Sequence, residues 1–490
     1  MDLPSGLAAR LRERFLETGF TAEGVRERLG EVAAAALDRE EIVPALRATA
    51  DGDPLAALIR LWWLGVSVDP AALDLPVPEL LEAGLLVADG DLVRAAVEIR
   101  PWQVESGRPA WVVADRKVRP GDPALRCDHV VGAGGASASL ARLAWTTGPV
   151  GRALDLGTGS GVQVLHLAGR ASEIVATDVN PRALCLARLT WALSGVGEVD
   201  ARQGSMYDPV ADERFDLIVA NPPFVISPTA RYAYRESGRQ ADEFCRDLVR
   251  LAPRHLEPGG HARFLANWLH LRGEDWRDRV GGWLEESGCD GWAVQRVVRD
   301  PAEYVELWLR DSVEQGTPAY RERYDEWLGW LESMGVTGIG FGWIALHNRG
   351  SLRPVVRVEE LPWEVEQPVG AHVEEVLEAV RSAHELADEE LLDTPLALAE
   401  GIVEERVGPP GADDPSRIVL RQTRGLRRAT TVGTVEAALA GVCDGKLPTR
   451  PLLVAIAELT GEKPANLLRR APEILRPLIA DGYFCAVTDR

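Results

Sequence analysis

A chain of 490 residues has room for about three domains at roughly 150 residues each, and 46% hydrophobic with 26% charged residues excludes a disordered, collagen-like or disulfide-dense protein. Lys and Arg number 54 against 75 Asp and Glu, a net charge of −21 that favours solubility and works against a uniform grip on a phosphate backbone. Six scattered cysteines (Cys127, Cys185, Cys245, Cys289, Cys443, Cys485) form no C-x-x-C pair, so neither a metal site nor a disulfide framework is expected. No run reaches the length of a membrane span or a leader, so a cytoplasmic protein is expected.

In chain order, residues 1–105 read as a helical module with a β wing. The stretch Pro54 to Gly65 has amphipathic spacing, a short helix follows at Glu79 to Gly84, and a hairpin turns at Asp89-Gly90. From residue 150 the pattern changes to buried strands alternating with helices: Arg152–Leu156, Glu173–Asp178, a polar strand near Val199–Gly204, Asp216–Ala220 and His261–Trp268. That rhythm predicts a doubly wound α/β sheet. The core domain is expected over 106–350, with a helical insertion near 302–335 between a strand around Arg296 and one ending near Asn348. In that insertion Tyr320, Tyr324, Trp327 and Leu331 recur at helical spacing, the pattern of core packing. Residues 351–414 carry 17 Asp and Glu against 4 Arg and Lys, an acidic connecting segment ending in the breaker Val407 to Pro415. The balance reverses over 415–490, with 12 Arg and Lys against 7 Asp and Glu, and three helical patterns lead into an apolar strand. This tail resembles a winged helix.

Chemistry concentrates at three points. Leu154-Asp155-Leu156-Gly157-Thr158-Gly159-Ser160-Gly161 runs an apolar strand into glycines at alternate positions, where a ligand approaches the backbone closely. A dinucleotide fingerprint needs glycine at position 162, which is Val162. Asp155 would repel a pyrophosphate and suit an ammonium, a combination that fits S-adenosylmethionine. Asp178 ends the next strand and is placed to accept hydrogen bonds from a ribose diol; its other reading is a cap for the helix starting at Pro181. The third point is Asn221-Pro222-Pro223-Phe224, where two prolines break a buried strand and free carbonyls at the sheet's edge. An Asn oxygen and a carbonyl near Pro222 can accept both hydrogens of a planar NH2 group while Phe224 stacks on its face. Such a nitrogen is a weak nucleophile, so positioning and stabilisation of its developing positive charge would carry the catalysis.

With these residues the chain resembles the class I S-adenosylmethionine-dependent methyltransferases that carry an Asn-Pro-Pro-aromatic motif. That branch includes HemK-like release-factor glutamine N-methyltransferases and the methyltransferase small-domain family, which methylates exocyclic amines of ribosomal RNA or adenine. The resemblance spans about residues 127–270. It implies a Rossmann-like core with S-adenosyl-L-methionine as methyl donor. Asp155, Gly157, Thr158, Gly159 and Gly161 would line the methionine end, Asp178 with Val179 the ribose, and Ser205 with Met206 the adenine; many relatives have Asp where Ser205 stands. Asn221, Pro222, Pro223 and Phe224 would hold the substrate nitrogen, Asn221 also bordering the cofactor. The segment Asp128 to Ser137 is either a cover over the cofactor or a linker, and His129 within it is not required as a base.

The expected substrate is a glutamine or asparagine side-chain amide of a protein, such as a translation factor. The alternative is an exocyclic amine of RNA or DNA, guanine N2 or adenine N6, gripped by Arg421, Arg424, Arg427 and Arg428. A non-catalytic regulator is disfavoured by the intact acceptor motif.

Overall fold

The computed structural model describes residues 6–117, 126–146, 148–223, 225–228, 241–309, 317–351, 353–410 and 415–487. The chain divides into two compact units: Met1–Ala141, Gly148–Trp276 and Val297–Ile344 form one, and Arg142–Thr147, Arg277–Arg296 and Ala345–Arg490 the other.

In the first unit the N-terminal residues form short helices because their apolar positions recur at helical spacing and polar residues cap them. Leu7, Leu11 and Phe15 line the buried side of Leu7–Glu17. Thr21 accepts the N–H of Gly24 at the head of Ala22–Asp38, and Asp53 accepts those of Leu55 and Ala56 at the head of Pro54–Leu58. The Pro54 stretch continues as a π-helical turn over Ile59–Trp63. The hairpin Leu86–Asp89/Leu92–Ala95 turns at Asp89-Gly90, and a second hairpin pairs Val97–Gln103 with Pro109–Asp115.

This module packs on the helix Pro181–Leu193. Ala183, Leu186, Leu189 and Leu193 join its core with Phe15, Phe20, Trp62 and Trp111, while Trp191 packs on Gly161. Helix side chains also bond the hairpin edge: the Trp111 and Val113 N–H groups donate to Ser194 Oγ and Thr190 Oγ1, both at 2.9 Å.

The sheet is the expected doubly wound one. Six of its strands lie in the order Val336–His347, Leu256–Leu271, Phe215–Ala220, Val150–Leu156, Ala171–Asp178, Asp200–Gln203, and the successive pairs from Leu256–Leu271 onward are parallel. Its central strands are almost continuously buried, as parallel strands covered on both faces require. Val150–Leu156 sends the chain to a neighbour on one side and later receives one on the other. In such sheets ligands bind where the strand order reverses, at the carboxyl edge.

The helices Pro301–Leu309 and Pro318–Ser333 precede the strand Val336–His347. Trp327 and Leu331 are buried, with Tyr320 and Tyr324 packed around them. The same cluster takes in Val225, Ile226 and Tyr304.

In the second unit, Val373–Glu385 packs with Pro464–Ala480 over a core of Leu391, Leu453, Leu467, Leu475, Ile479 and Phe484. Two three-stranded antiparallel sheets lie beside it: Asp444–Pro448, Pro395–Leu398, Phe484–Ala486; and Ile402–Val407, Arg417–Gln422, Ala429–Val432. Residues 291–295 run parallel to 356–360. Glu359 sits among Arg357, Arg428 and the Trp292 indole N–H, and the two guanidinium groups hold its carboxyl at about 2 against the opposing effect of burial. Residues 411–414, where the acidic and basic stretches were expected to divide, lie outside the described residues.

Candidate active site

Parallel register brings three chain segments to one edge. Leu156 is level with Thr177 on one side and Ala220 on the other, so Gly157, Asp178 and Asn221 leave the sheet side by side. Asp178 in turn is level with Gln203, which brings Gly204, Ser205 and Met206 alongside.

The glycine loop is fastened to the neighbouring strand. Thr158 N donates to Thr177 O, and Gly159 N to Asp178 Oδ2, both at 2.8 Å. Among the described residues, a Cβ on Gly157 or Gly159 would meet no atom within 4 Å. Gly161 differs: its φ is +82°, and a Cβ would lie 2.5 Å from Trp191 Nε1, whose N–H donates to Gly161 O at 2.9 Å. Gly161 therefore permits loop-to-helix packing, and its own N–H closes the loop on Thr158 O.

Two carboxylates serve this loop in different surroundings. Asp155 is 1% exposed and accepts the Thr158 hydroxyl at 2.6 Å. Burial pushes its pKa up to about 7; the Thr158 bond opposes the shift and the Asp178 charge adds to it. A buried carboxylate poised near neutrality suits a cationic partner. Asp178 is also raised by burial, while the backbone N–H groups of Asn180, Gly159 and Val179 pull it down. Those donors fix the carboxylate and leave lone pairs for a diol. The helix that follows is capped by Asn180, whose Oδ1 accepts Arg182 N at 2.9 Å, so Asp178 is not needed for the cap.

Val179, 54% exposed, offers an apolar surface beside Asp178. Gly204 N donates to Asp178 O at 3.0 Å, which keeps Ser205 and Met206 close to it; Ser205 is exposed and Met206 half-buried. Met206 has φ +47°, a left-handed conformation that costs a non-glycine residue roughly 1 kcal/mol or more and is concentrated at ligand sites.

Beside the glycine loop Asn221 is half-buried, Pro222 buried and Pro223 half-buried. Phe224 lies outside the described residues. The chain then turns inward, and Ile226 N donates to the Tyr304 hydroxyl at 2.8 Å. Tyr304 is fully buried, and burial pushes its pKa up, keeping the phenol protonated.

Four residues absent from the sequence reading shape this edge: Tyr304, Asn180, Asp115 and Arg182. Asn180 Nδ2 donates to Asp128 O at 2.9 Å. Asp115 closes the hairpin strand Pro109–Asp115 and accepts Arg182 Nε at 3.0 Å and Val130 N at 2.9 Å. Residues 128–130 are thus tied to both sides of the helix head next to Asp178. An N-cap pattern marks Asn180, since Asn precedes Pro181; no local pattern marks the other three. His129 is buried, 3.9 Å from Asp115, and burial lowers its pKa.

Residues 135–275 match the family model described as methyltransferase small domain, and residues 17–96 match a domain of unknown function, DUF7059. A release factor glutamine methyltransferase of Geobacter sulfurreducens is 32% identical over 29% of this chain and 52% of its own length. One from Cereibacter sphaeroides is 30% identical over 44% of this chain and 80% of its own length. A ribosomal RNA small subunit methyltransferase C of Idiomarina loihiensis is 34% identical over 24% of this chain and 32% of its own length. The chain spans about half the length of the first of these relatives.

Proposed function

Because this chain belongs to the S-adenosylmethionine-dependent methyltransferases with a methyltransferase small domain, we propose that it methylates a planar NH2 nitrogen, the side-chain amide of glutamine or asparagine in a protein substrate. The observation that carries this reading is the register that sets Asn221-Pro222-Pro223 beside the Gly157 loop and Asp178 at one sheet edge.

The residues of the cleft fit S-adenosylmethionine: Gly157 and Gly159 leave room for a ligand, Asp155 matches an ammonium, and Asp178 a ribose diol. Val179 would border the ribose, and Ser205 and Met206 the adenine. When bound, this donor supplies an electrophilic methyl group on a sulfonium. The protein's part is positioning. Asn221 Oδ1 and the Pro222 carbonyl accept the two N–H groups of the substrate amide, hold its nitrogen in line, and stabilise the positive charge that develops there. Pro223 stiffens the turn, since its ring fixes φ, and Phe224 would cover the amide face. The surplus proton, made acidic by alkylation, leaves to water.

A second reading, an exocyclic amine of RNA or DNA, is favoured by the relatives named ribosomal RNA small subunit methyltransferase C. The tail supports it less than its composition suggests. Arg421 pairs with Glu405 at 2.7 Å and Arg424 with Glu400 at 3.2 Å, while Arg428 is buried against Glu359. Transfer of labelled methyl from S-adenosylmethionine into an extract, with the product split between protease and nuclease, decides between the two. Protease-sensitive label supports the amide, and nuclease-sensitive label overturns it in favour of the base.

A further inference from the structure

The segment 126–134 has no secondary structure of its own beyond a turn, yet His129 and Val130 within it are buried. Asp115 and Val130 exchange bonds: Asp115 N donates to Val130 O at 3.0 Å, and Asp115 Oδ2 accepts Val130 N at 2.9 Å. The same carboxylate receives the Arg182 fork through Nε and Nη2. Arg182 stands one turn from Asp178, and the intervening Asn180 holds Asp128 O through Nδ2 while its own N–H donates to Asp178 Oδ1 at 2.8 Å. The path from Asp178 to the N-terminal hairpin therefore runs through direct bonds. Gly132 continues close along the hairpin, where a Cβ would come within 3.3 Å of Ala114 Cβ.

We infer that the Asp115–Arg182 ion pair is a clasp that holds residues 126–134 against the ribose side of the cofactor cleft, making cofactor affinity depend on a residue of the hairpin Val97–Gln103/Pro109–Asp115. The inference rests on the reading of that cleft as the S-adenosylmethionine site. Asp115 and Arg182 are positioning residues; they act through Val130, Asp128 and Asn180. A bidentate, largely buried pair suits this role because Arg presents a rigid fork that a lysine does not reproduce. With the carboxylate neutralised, the fork loses its partner and the segment loses a charge-assisted anchor, while the helix cap at Asn180 stays intact.

The test uses the full chain and S-adenosylhomocysteine, measured by calorimetry and by dissociation kinetics beside the melting temperature. Asp115→Asn is expected to weaken binding about tenfold, chiefly through faster dissociation. Arg182→Lys, which keeps the charge and loses the fork, is expected to weaken it in the same direction, and it carries the test if Asp115→Asn does not fold. Asp115→Asn combined with Arg182→Gln should be no weaker than the worse single variant, because the two residues act as a unit. Exchange of the Val130 amide hydrogen should slow on ligand binding in the parent protein and not in the variants. Folded variants that bind within twofold of the parent, whatever their melting temperatures, overturn the clasp alone. A parent protein that does not bind S-adenosylhomocysteine overturns the cofactor reading and the clasp with it.

Discussion

The two halves of the cleft are held together by different means. On the cofactor side, Gly159 and Asp178 are 19 residues apart and bond directly, and Thr158 reaches Asp155 across three residues. On the acceptor side, the chain after Asn221-Pro222-Pro223 is fastened by Tyr304, 78 residues beyond Ile226. The first half is a local unit of strand, loop and strand. The second takes its shape from a helical insertion that packs Tyr304, Val305 and Leu309 against Val225 and Ile226. Cofactor binding and turnover should therefore come apart under mutation.

The sharpest break is expected from Asn221→Ala. Removing an acceptor that matters only as charge develops should lower kcat by a factor of about a hundred or more and leave S-adenosylhomocysteine affinity near its parent value. Equal turnover in steady-state assays refutes the role given to Asn221. The complementary change, Asp178→Ala, should weaken S-adenosylhomocysteine by about thirtyfold through loss of charge-assisted bonds to the diol. Calorimetry showing unaltered affinity removes Asp178 from the site.

Next comes a pH effect confined to the cofactor half. Asp155 is raised from 3.8 to about 7 by burial, so it must release a proton to pair with an ammonium. Affinity for S-adenosylhomocysteine should therefore rise as pH increases from 6 to 8, by up to about tenfold, and be flat over that range in Asp155→Asn. Stability of the ligand-free protein runs the other way. The unfolded chain loses this proton near 3.8 while the folded one keeps it to about 7, so Asp155 lowers stability as pH climbs through that window and adds no further change above it. Melting temperatures of Asp155→Asn across the same range should lack that component.

The smallest effect tests the acceptor half from a distance. Tyr304→Phe keeps the packed ring and leaves the buried Ile226 N–H without its acceptor, a loss of order 1 kcal/mol. Turnover should fall about fivefold with cofactor affinity unchanged. A matching loss of cofactor affinity would mean that the two halves are not separable in this way.

The parts legible in the sequence are those whose cause is short-range. Alternation of apolar strands with helices announced the doubly wound sheet, because strands covered on both faces must be apolar throughout. Gly157, Gly159 and Asp178 were legible because a tight loop and a strand-end carboxylate have local signatures. Gly161 shows the limit of such a signature: it reads like its neighbours, yet its Cβ position is filled by Trp191, thirty residues away. Likewise the basic composition of the tail suggested free arginines, and the fold pairs Arg421, Arg424 and Arg428 with Glu405, Glu400 and Glu359.

Residue types a few positions apart are enough to specify the sheet, the glycine loop proposed to meet the cofactor and the Asn221-Pro222-Pro223 turn proposed to face the substrate. The pairing of Tyr304 with Ile226 and of Arg182 with Asp115 is set by the tertiary structure alone. Those partners lie 67 to 78 residues apart. Their pairing depends on which surfaces the burial of the N-terminal helices and of the insertion brings together, and no local periodicity encodes that choice.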